Sequence, residues 1–364
     1  MADNITEEGL KRVIGVPGLT LSIINGVIGA GIFVLPATVG IALGAFAFNA
    51  YVVCGVLLSA ILLCYAEIGT RVTTSGGSYA YVEAAFGHLP GYVINWLYFF
   101  GWSILGSAAL MNIIVDSLAS LFPALQQPWM RAMLLLVLVA FMIGINIAGA
   151  RQGVRIVKVI TILKLLPLIG IIVLGIRLIH PDYLHWQGLP SLETFSDTTL
   201  ILFFAFSGFE TSLGASGEIK NPNQTIPRSI FIAGAVILVI YLLLQTVVQG
   251  MLGPDIVLYK DAPLAAVAKH IIGPAGAVIL LACAALSCFG SVTLDILCTP
   301  RALFAGANDG MFPSILGKVH PRFATPYVSV SVYGVLILIF SIAGGFQSLA
   351  ILASACILLI YLAV

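Results

Sequence analysis

Lys164 stands in the apolar run Thr161-Ile162-Leu163-Lys164-Leu165-Leu166-Pro167. An ionised lysine among residues of this kind needs a partner, a water-filled cavity or a changed proton affinity, because a bare ammonium in hydrocarbon is costly. Two readings are open: a residue that binds and releases a proton, or a lysine that snorkels to the nearer interface on its long stem. Three carboxylates also lie in or beside apolar runs: Glu67, Glu210 and Asp295. Glu67 marks the end of its run and reads as structural. Glu210 is a proton relay, a gate latch or a cap for broken backbone. Asp295, six residues before Arg301, either reads a polar or cationic group on a ligand or pairs with Lys164.

Two glycine clusters add backbone chemistry: Asn25-Gly26-Val27-Ile28-Gly29-Ala30-Gly31 and Ser207-Gly208-Phe209-Glu210-Thr211-Ser212-Leu213-Gly214. A helix unwound at such a point exposes free N–H groups at the start of one half and free C=O groups at the end of the other. The first favours an anion and the second a cation, with help from the half-helix dipoles. Gly29, Ala30 and Gly31 carry little or no side chain, so a carboxylate can approach their amides. Soluble-enzyme and membrane-enzyme signatures do not appear. The five histidines (His88, His180, His185, His270, His320) fall in loops, there is no HExxH, GxSxG or Walker motif, and no cofactor or metal site is expected. Six cysteines lie in apolar stretches without a CxxC pair and read as packing residues.

The elements that position these groups follow from composition. The 364 residues are 60% hydrophobic and 9% charged, with a mean hydropathy of +1.11. A soluble domain needs roughly a quarter charged residues to cover its surface, so most of this surface faces lipid. The net charge of +1 offers no field for nucleic acid. Apolar runs long enough to cross a bilayer occur at 14–39, 42–66, 91–118, 130–148, 157–178, 197–216, 229–250, 274–300, 327–343 and 346–364. Connections at 67–90, 251–273 and 304–326 are long enough to carry structure, the second with an amphipathic piece from Ala262 to Ile272. Lys11, Arg12, Arg71, Arg151, Arg155, Lys158, Lys220, Arg228, Arg301, Lys318 and Arg322 fall on the side of the N-terminus, and only Arg131, Arg177, Lys260 and Lys269 on the other. That asymmetry predicts a cytoplasmic N-terminus, and with it no glycosylation at Asn4 or Asn223.

The glycine clusters interrupt the first and sixth spans, which are the first helices of two five-helix halves. An odd number per half inverts the second half relative to the first. Matching broken helices in inverted halves point to a transporter site near the midplane. The expected divisions are a tail at 1–13, a first repeat at 14–178, an outer loop at 179–196 and a second repeat at 197–364.

Four blocks in order then resemble the amino acid–polyamine–organocation (APC) superfamily. Span 1 reads Gly26-Val27-Ile28-Gly29-Ala30-Gly31-Ile32-Phe33-Val34-Leu35-Pro36. The end of span 2 and its loop read Tyr65-Ala66-Glu67-Ile68 and Ser75-Gly76-Gly77-Ser78-Tyr79-Ala80-Tyr81. Span 6 reads Phe203-Phe204-Ala205-Phe206-Ser207-Gly208-Phe209-Glu210, followed by Glu218-Ile219-Lys220-Asn221-Pro222 and Ile226-Pro227-Arg228. Span 8 ends in Arg301-Ala302-Leu303-Phe304-Ala305, then Asn308-Asp309-Gly310. The resemblance implies an all-α polytopic membrane protein of the LeuT type, with a five-plus-five inverted repeat and broken helices 1 and 6. Members of the family usually have twelve helices, and this sequence stops inside the tenth.

The resemblance also implies roles. Carbonyls of Val27, Phe204 and Ser207 would receive an ammonium beside Gly208, with Phe204 covering the substrate or simply packing. Lys164 would stand where sodium-coupled relatives of the fold hold an ion between helices 1, 5 and 8, with Ser291 its likeliest hydroxyl partner. The function implied is a secondary active permease for amino acids in the cell membrane, proton-coupled, with amino acid substrate, protons and membrane lipid as its partners. Helix 3 has no acid between Gly91 and Val115, which leans toward a neutral amino acid. The alternatives are an exchanger for a cationic substrate such as a polyamine, and a membrane sensor on the same fold.

Overall fold

The computed structural model describes residues 12–29, 31–73, 77–186, 188–260 and 262–364. Helices account for most of them, as the composition requires: in hydrocarbon every backbone N–H and C=O must be paired within the segment. Among the described residues the only extended pairing is a single parallel bridge between Ile14 and Ile219.

Span 1 is two short helices, α1 (Val16–Val27) and α2 (Gly31–Leu43). A turn at Gly44, whose φ of 54° suits glycine, leads into α3 (Ala47–Arg71), which is span 2. The connection after it holds α4 (Ser78–Phe86). Span 3 is assembled from α5 (His88–Trp96), a π-helical segment Leu97–Ile104 and α6 (Leu105–Leu121). The π segment had no sequence signal; such widened turns are rare and gather at functional sites. Spans 4 and 5 are α7 (Pro128–Ile147) and α8 (Ala150–Gly175).

The second half repeats the plan. Span 6 is α9 (Leu192–Ala205) followed, after a break, by a 3-10 segment Glu210–Glu218. Span 7 is α10 (Pro222–Leu252), and the amphipathic piece before span 8 is α11 (Pro263–Ile272). Span 8 is α12 (Pro274–Cys298), with α13 (Pro300–Asn308) at its end. Spans 9 and 10 are α14 (Tyr327–Ala343) and α15 (Phe346–Ala363).

The broken helix α1 lies at the centre, packed against α8, α10 and α12. The core therefore surrounds α1, with Leu19, Ile23 and Ile28 fully enclosed. Large apolar side chains such as Val56, Leu57, Val137, Phe141, Leu166 and Ile342 are exposed instead. In water such a belt would be a liability; here it faces acyl chains. The chain is a multi-pass membrane protein with the LeuT-type arrangement of helices.

Candidate functional site

The site begins where two helices stop. At Ile28 (φ −75°, ψ 75°) the backbone leaves α1, and Gly29 N–H turns back to donate to Val27 O at 2.8 Å. In span 6, Gly208 adopts φ 107°, a conformation L side chains rarely adopt. The two breaks touch. A Cβ on Gly26 would stand 2.7 Å from Gly208 O, and one on Gly208 would stand 2.8 Å from Gly26 O. Only hydrogen fits at either position, which explains why both clusters contain glycine at these points.

Each break leaves backbone groups unpaired, and a buried side chain takes up some of them. At the first, Lys164 is wholly enclosed and its Nζ donates to Asn25 O at 2.9 Å, to Ile28 O, and to Ser287 Oγ at 3.3 Å. Three hydrogens meet three acceptors. Ser287 Oγ in turn donates to Ile28 O at 2.8 Å or Gly29 O at 3.1 Å, and Ser291 Oγ donates to Asn25 O at 2.9 Å. Lys164 thus joins α8 to the end of α1 and to α12. At the second break, Glu210 Oε2 accepts from Gly208 N–H at 3.0 Å and from Tyr361 OH at 2.7 Å. Tyr241 OH bridges the two helices, lying 3.2 Å from Val27 O and 3.0 Å from Ala205 O.

Asp295 is one turn beyond Ser291 on α12. Its carboxylate bonds to hydroxyls rather than to Lys164: Ser103 Oγ at 2.7 Å from both oxygens, Ser107 Oγ at 2.5 Å, Thr299 Oγ1 at 2.7 Å, and Tyr333 OH. Ser103 is the last residue but one of the π segment, and Ser107 follows one turn later on α6.

A cavity of about 910 Å³ joins these features, near the top of the range typical of small-molecule sites. Gly26, Val27, Gly29, Gly31, Ser207, Gly208, Ser291 and Asp295 line it, with Trp102, Ser103 and Ser107 of span 3. It continues past Leu110 and Ile113 to Asp116, Ser117 and Ala262. That mouth lies at the far end of α6 from the basic N-terminal face.

The basic face is closed. Arg301 Nε bonds Glu218 Oε1 at 2.6 Å with both side chains buried. Val13 and Ile14 N–H both donate to Glu218 O, Lys220 N–H donates to Ile14 O, and Arg12 reaches Ile219 O. Tyr79 OH donates to Asp309 Oδ2 at 2.7 Å, tying α4 to the end of α13. Burial, then hydrogen bonding with Glu83 and Asp309, holds that phenol well above the usual tyrosine range.

Of the residues singled out in the sequence, Val27, Gly29, Gly31, Ser207, Gly208, Ser291 and Asp295 share the cavity wall, while Lys164 and Glu210 stand behind the two breaks. Ala30 and the side chain of Phe204 lie outside the described residues. Lys164 reaches Ser287 and not Ser291, which instead bonds the Asn25 carbonyl that Lys164 also reaches. The Val27 carbonyl is already taken by Tyr241 and the Gly29 amide. Unanticipated members are Ser287, Tyr241, Tyr361 and the hydroxyls around Asp295. Only the serines left a trace: Ser287 and Ser291, like Ser103 and Ser107, are four apart and share a helix face.

Comparison with known proteins agrees with the fold. The family model described as amino acid permease matches residues 14–364. The large neutral amino acids transporter small subunit 2 of Mus musculus is 28% identical over 338 residues, covering 87% of this chain and 62% of that protein. The chain thus spans less than two thirds of that relative's length. The serine/threonine exchanger SteT of Bacillus subtilis (strain 168) is 28% identical over 345 residues, 89% of this chain and 75% of that protein. The crystal structure of MhsT in complex with L-phenylalanine superposes with a TM-score of 0.67 at 15% identity, covering 95% of this chain and 87% of that one.

Proposed function

The chain belongs to the amino acid permease family, and from that premise we propose that it is a secondary carrier of amino acids working by alternating access. The observation that carries this reading is a cavity that ends on two touching helix breaks and is closed at the basic face by the Glu218–Arg301 pair. An amino acid has a carboxylate and an ammonium to desolvate. The amide of Gly31, at the start of α2, suits the first. With Val27 O occupied, the second falls to the carbonyls of Phe204 and Ser207 on span 6. The side chain then faces span 3 and α12, whose cavity residues are mostly apolar. A neutral amino acid fits that wall, and the names of the relatives point the same way.

Coupling rests on Lys164. An ammonium that joins the end of α1 to α8 and α12 stands where a sodium ion would tie the same helices. Its proton is the cargo whose release loosens them, and an inward proton gradient drives uptake. The basic asymmetry supports a cytoplasmic N-terminus, with the closed face on the inner side of the cell membrane. Exchange of one amino acid for another is the second reading, supported by the name of the Bacillus relative.

Counterflow in proteoliposomes tests the carrier directly. Purified chain in vesicles loaded with an unlabelled neutral amino acid should transiently concentrate the labelled form, without sodium. Absence of counterflow across the neutral amino acids would overturn the reading. Net uptake under an inward proton gradient into empty vesicles separates symport from exchange, and a strict need for sodium would remove Lys164 from the coupling role.

A further inference from the structure

The oxygens around Asp295 outnumber the hydrogens available to them. Ser107, Thr299 and Tyr333 each have one hydroxyl hydrogen, and each directs it to the carboxylate. Ser103 Oγ has one hydrogen as well but stands against four oxygens: both carboxylate oxygens at 2.7 Å, and Thr299 Oγ1 and Tyr333 OH at 2.8 Å. If its hydrogen is shared by the carboxylate, the two contacts at 2.8 Å hold none. Oxygens that close without a hydrogen between them repel, and here they carry a net negative charge in a buried place.

A positive species relieves this deficit, and the spacing says which. Oxygens 2.5–2.8 Å apart have the separation of O–H···O bonds. Ligands around a sodium or divalent ion stand farther from one another than that. Among the described residues no basic side chain bonds Asp295; its partners are all hydroxyls. The titratable groups that face it are Tyr333 on α14, Tyr98 on the π segment, Glu210 beyond the second break and Cys298 on its own helix. None supplies a positive charge.

Resting on the carrier reading above, we infer that Asp295 with Ser103, Ser107, Thr299 and Tyr333 forms a second proton-binding site, separate from Lys164 and open to the substrate cavity. A proton arriving through the cavity adds to a carboxylate oxygen, and the new O–H donates to Ser103 Oγ. Ser103 then turns its own hydrogen to Thr299 Oγ1 or Tyr333 OH. No other bond forms or breaks. Protonated, the cluster holds spans 3, 8 and 9 together; ionised, it repels within itself and releases them.

The test is the plateau of uptake rather than its rate. Under a one-unit inward pH gradient each coupled proton raises the attainable accumulation ratio about tenfold. Asp295→Asn mimics the protonated acid, so the ratio of its plateau under the gradient to its own plateau without one should be about tenfold below the parent's. An unchanged ratio overturns the site, as does a variant whose only defect is lost binding of cationic amino acids, since Asp295 would then be a substrate counterion. Should Asp295→Asn give no counterflow, Tyr333→Phe replaces it: one hydroxyl is lost, the carboxylate stays, and the pH midpoint of the plateau should move. A midpoint that stays in place overturns the inference. Counterflow in the parent protein reports on the carrier reading alone, and its absence would overturn both.

Discussion

The two breaks are served by opposite charges. At the end of α1 the exposed groups are carbonyls, and the buried side chain is an ammonium, Lys164, bonded to Asn25 O and Ile28 O. After α9 the exposed group is the Gly208 amide, and the buried side chain is a carboxylate, Glu210. The pairing follows from helix polarity: a helix end offers acceptors and a helix start offers donors. The ties differ in span. Glu210 comes from two residues away and is held on its other side by Tyr361 of α15. Lys164 comes from another helix and joins three elements. A local latch keeps one break in shape, whereas a long-range tie can be made and broken as helices move.

The largest effect should come where the breaks meet. Gly208→Val adds a branched side chain at φ 107° with its Cβ 2.8 Å from Gly26 O. Backbone strain alone costs about 1–3 kcal/mol, and the neighbour here is backbone with no room to yield. Substrate binding should be abolished and the thermal midpoint lowered. Gly29→Ala is the control, because its Cβ would meet Ser291 Oγ at an ordinary 3.6 Å. It should fold normally, and equal damage from both changes would mean that the contact between the breaks is unimportant.

Next comes the long-range tie. Lys164→Met keeps most of the stem and removes the hydrogens, leaving Asn25 O and Ile28 O only the hydroxyls of Ser291 and Ser287, at a cost of about 1.5–3 kcal/mol for each lost charged bond. The variant should still show counterflow at reduced rate, with its accumulation plateau under a one-unit pH gradient lowered about tenfold. Accumulation at the parent level would make the lysine structural. Glu210→Gln should do less to the fold, since an amide oxygen can still accept from Gly208 N–H and Tyr361 OH. We expect a loss of about 1 kcal/mol in stability, read by thermal unfolding in detergent, and a larger loss would show the charge itself to be needed.

The sequence made the two breaks far more legible than the hydroxyls around them. Glycine clusters, lysine in an apolar run and the basic asymmetry are all departures from the composition of a lipid-facing helix, so they stand out. Ten apolar runs found their helices for the same reason. Tyr241, Tyr361 and Tyr333 left no signal, because an aromatic in a membrane helix is ordinary and only its neighbours in space reveal what its hydroxyl bonds. The π segment was equally hidden: Leu97–Ile104 is as apolar as any other turn, and the widening appears only in how Ser103 meets Asp295. Partner choice within a helix face was also out of reach. Ser287 and Ser291 are one turn apart on the same face, and which of them meets Lys164 depends on how far α8 is shifted along α12.

That one-turn choice supports the smallest prediction. Ser287 Oγ is the neutral member of the tie: it accepts from Lys164 at 3.3 Å and has Ile28 O and Gly29 O within 3.1 Å. Ser287→Ala removes one hydroxyl and leaves the ammonium its two carbonyls, so the change is worth about 1 kcal/mol, the net value of one such bond. Ser291→Ala removes a bond to Asn25 O only; it leaves the lysine's three contacts intact. If Lys164 couples through the geometry seen here, Ser287→Ala should weaken gradient-driven accumulation more than Ser291→Ala does, although both lose one hydroxyl from the same helix face. Accumulation plateaus of the two variants, measured side by side under the same pH gradient, decide the matter. The reverse order would place the ammonium one turn nearer the basic face during transport than it is in this closed-face arrangement.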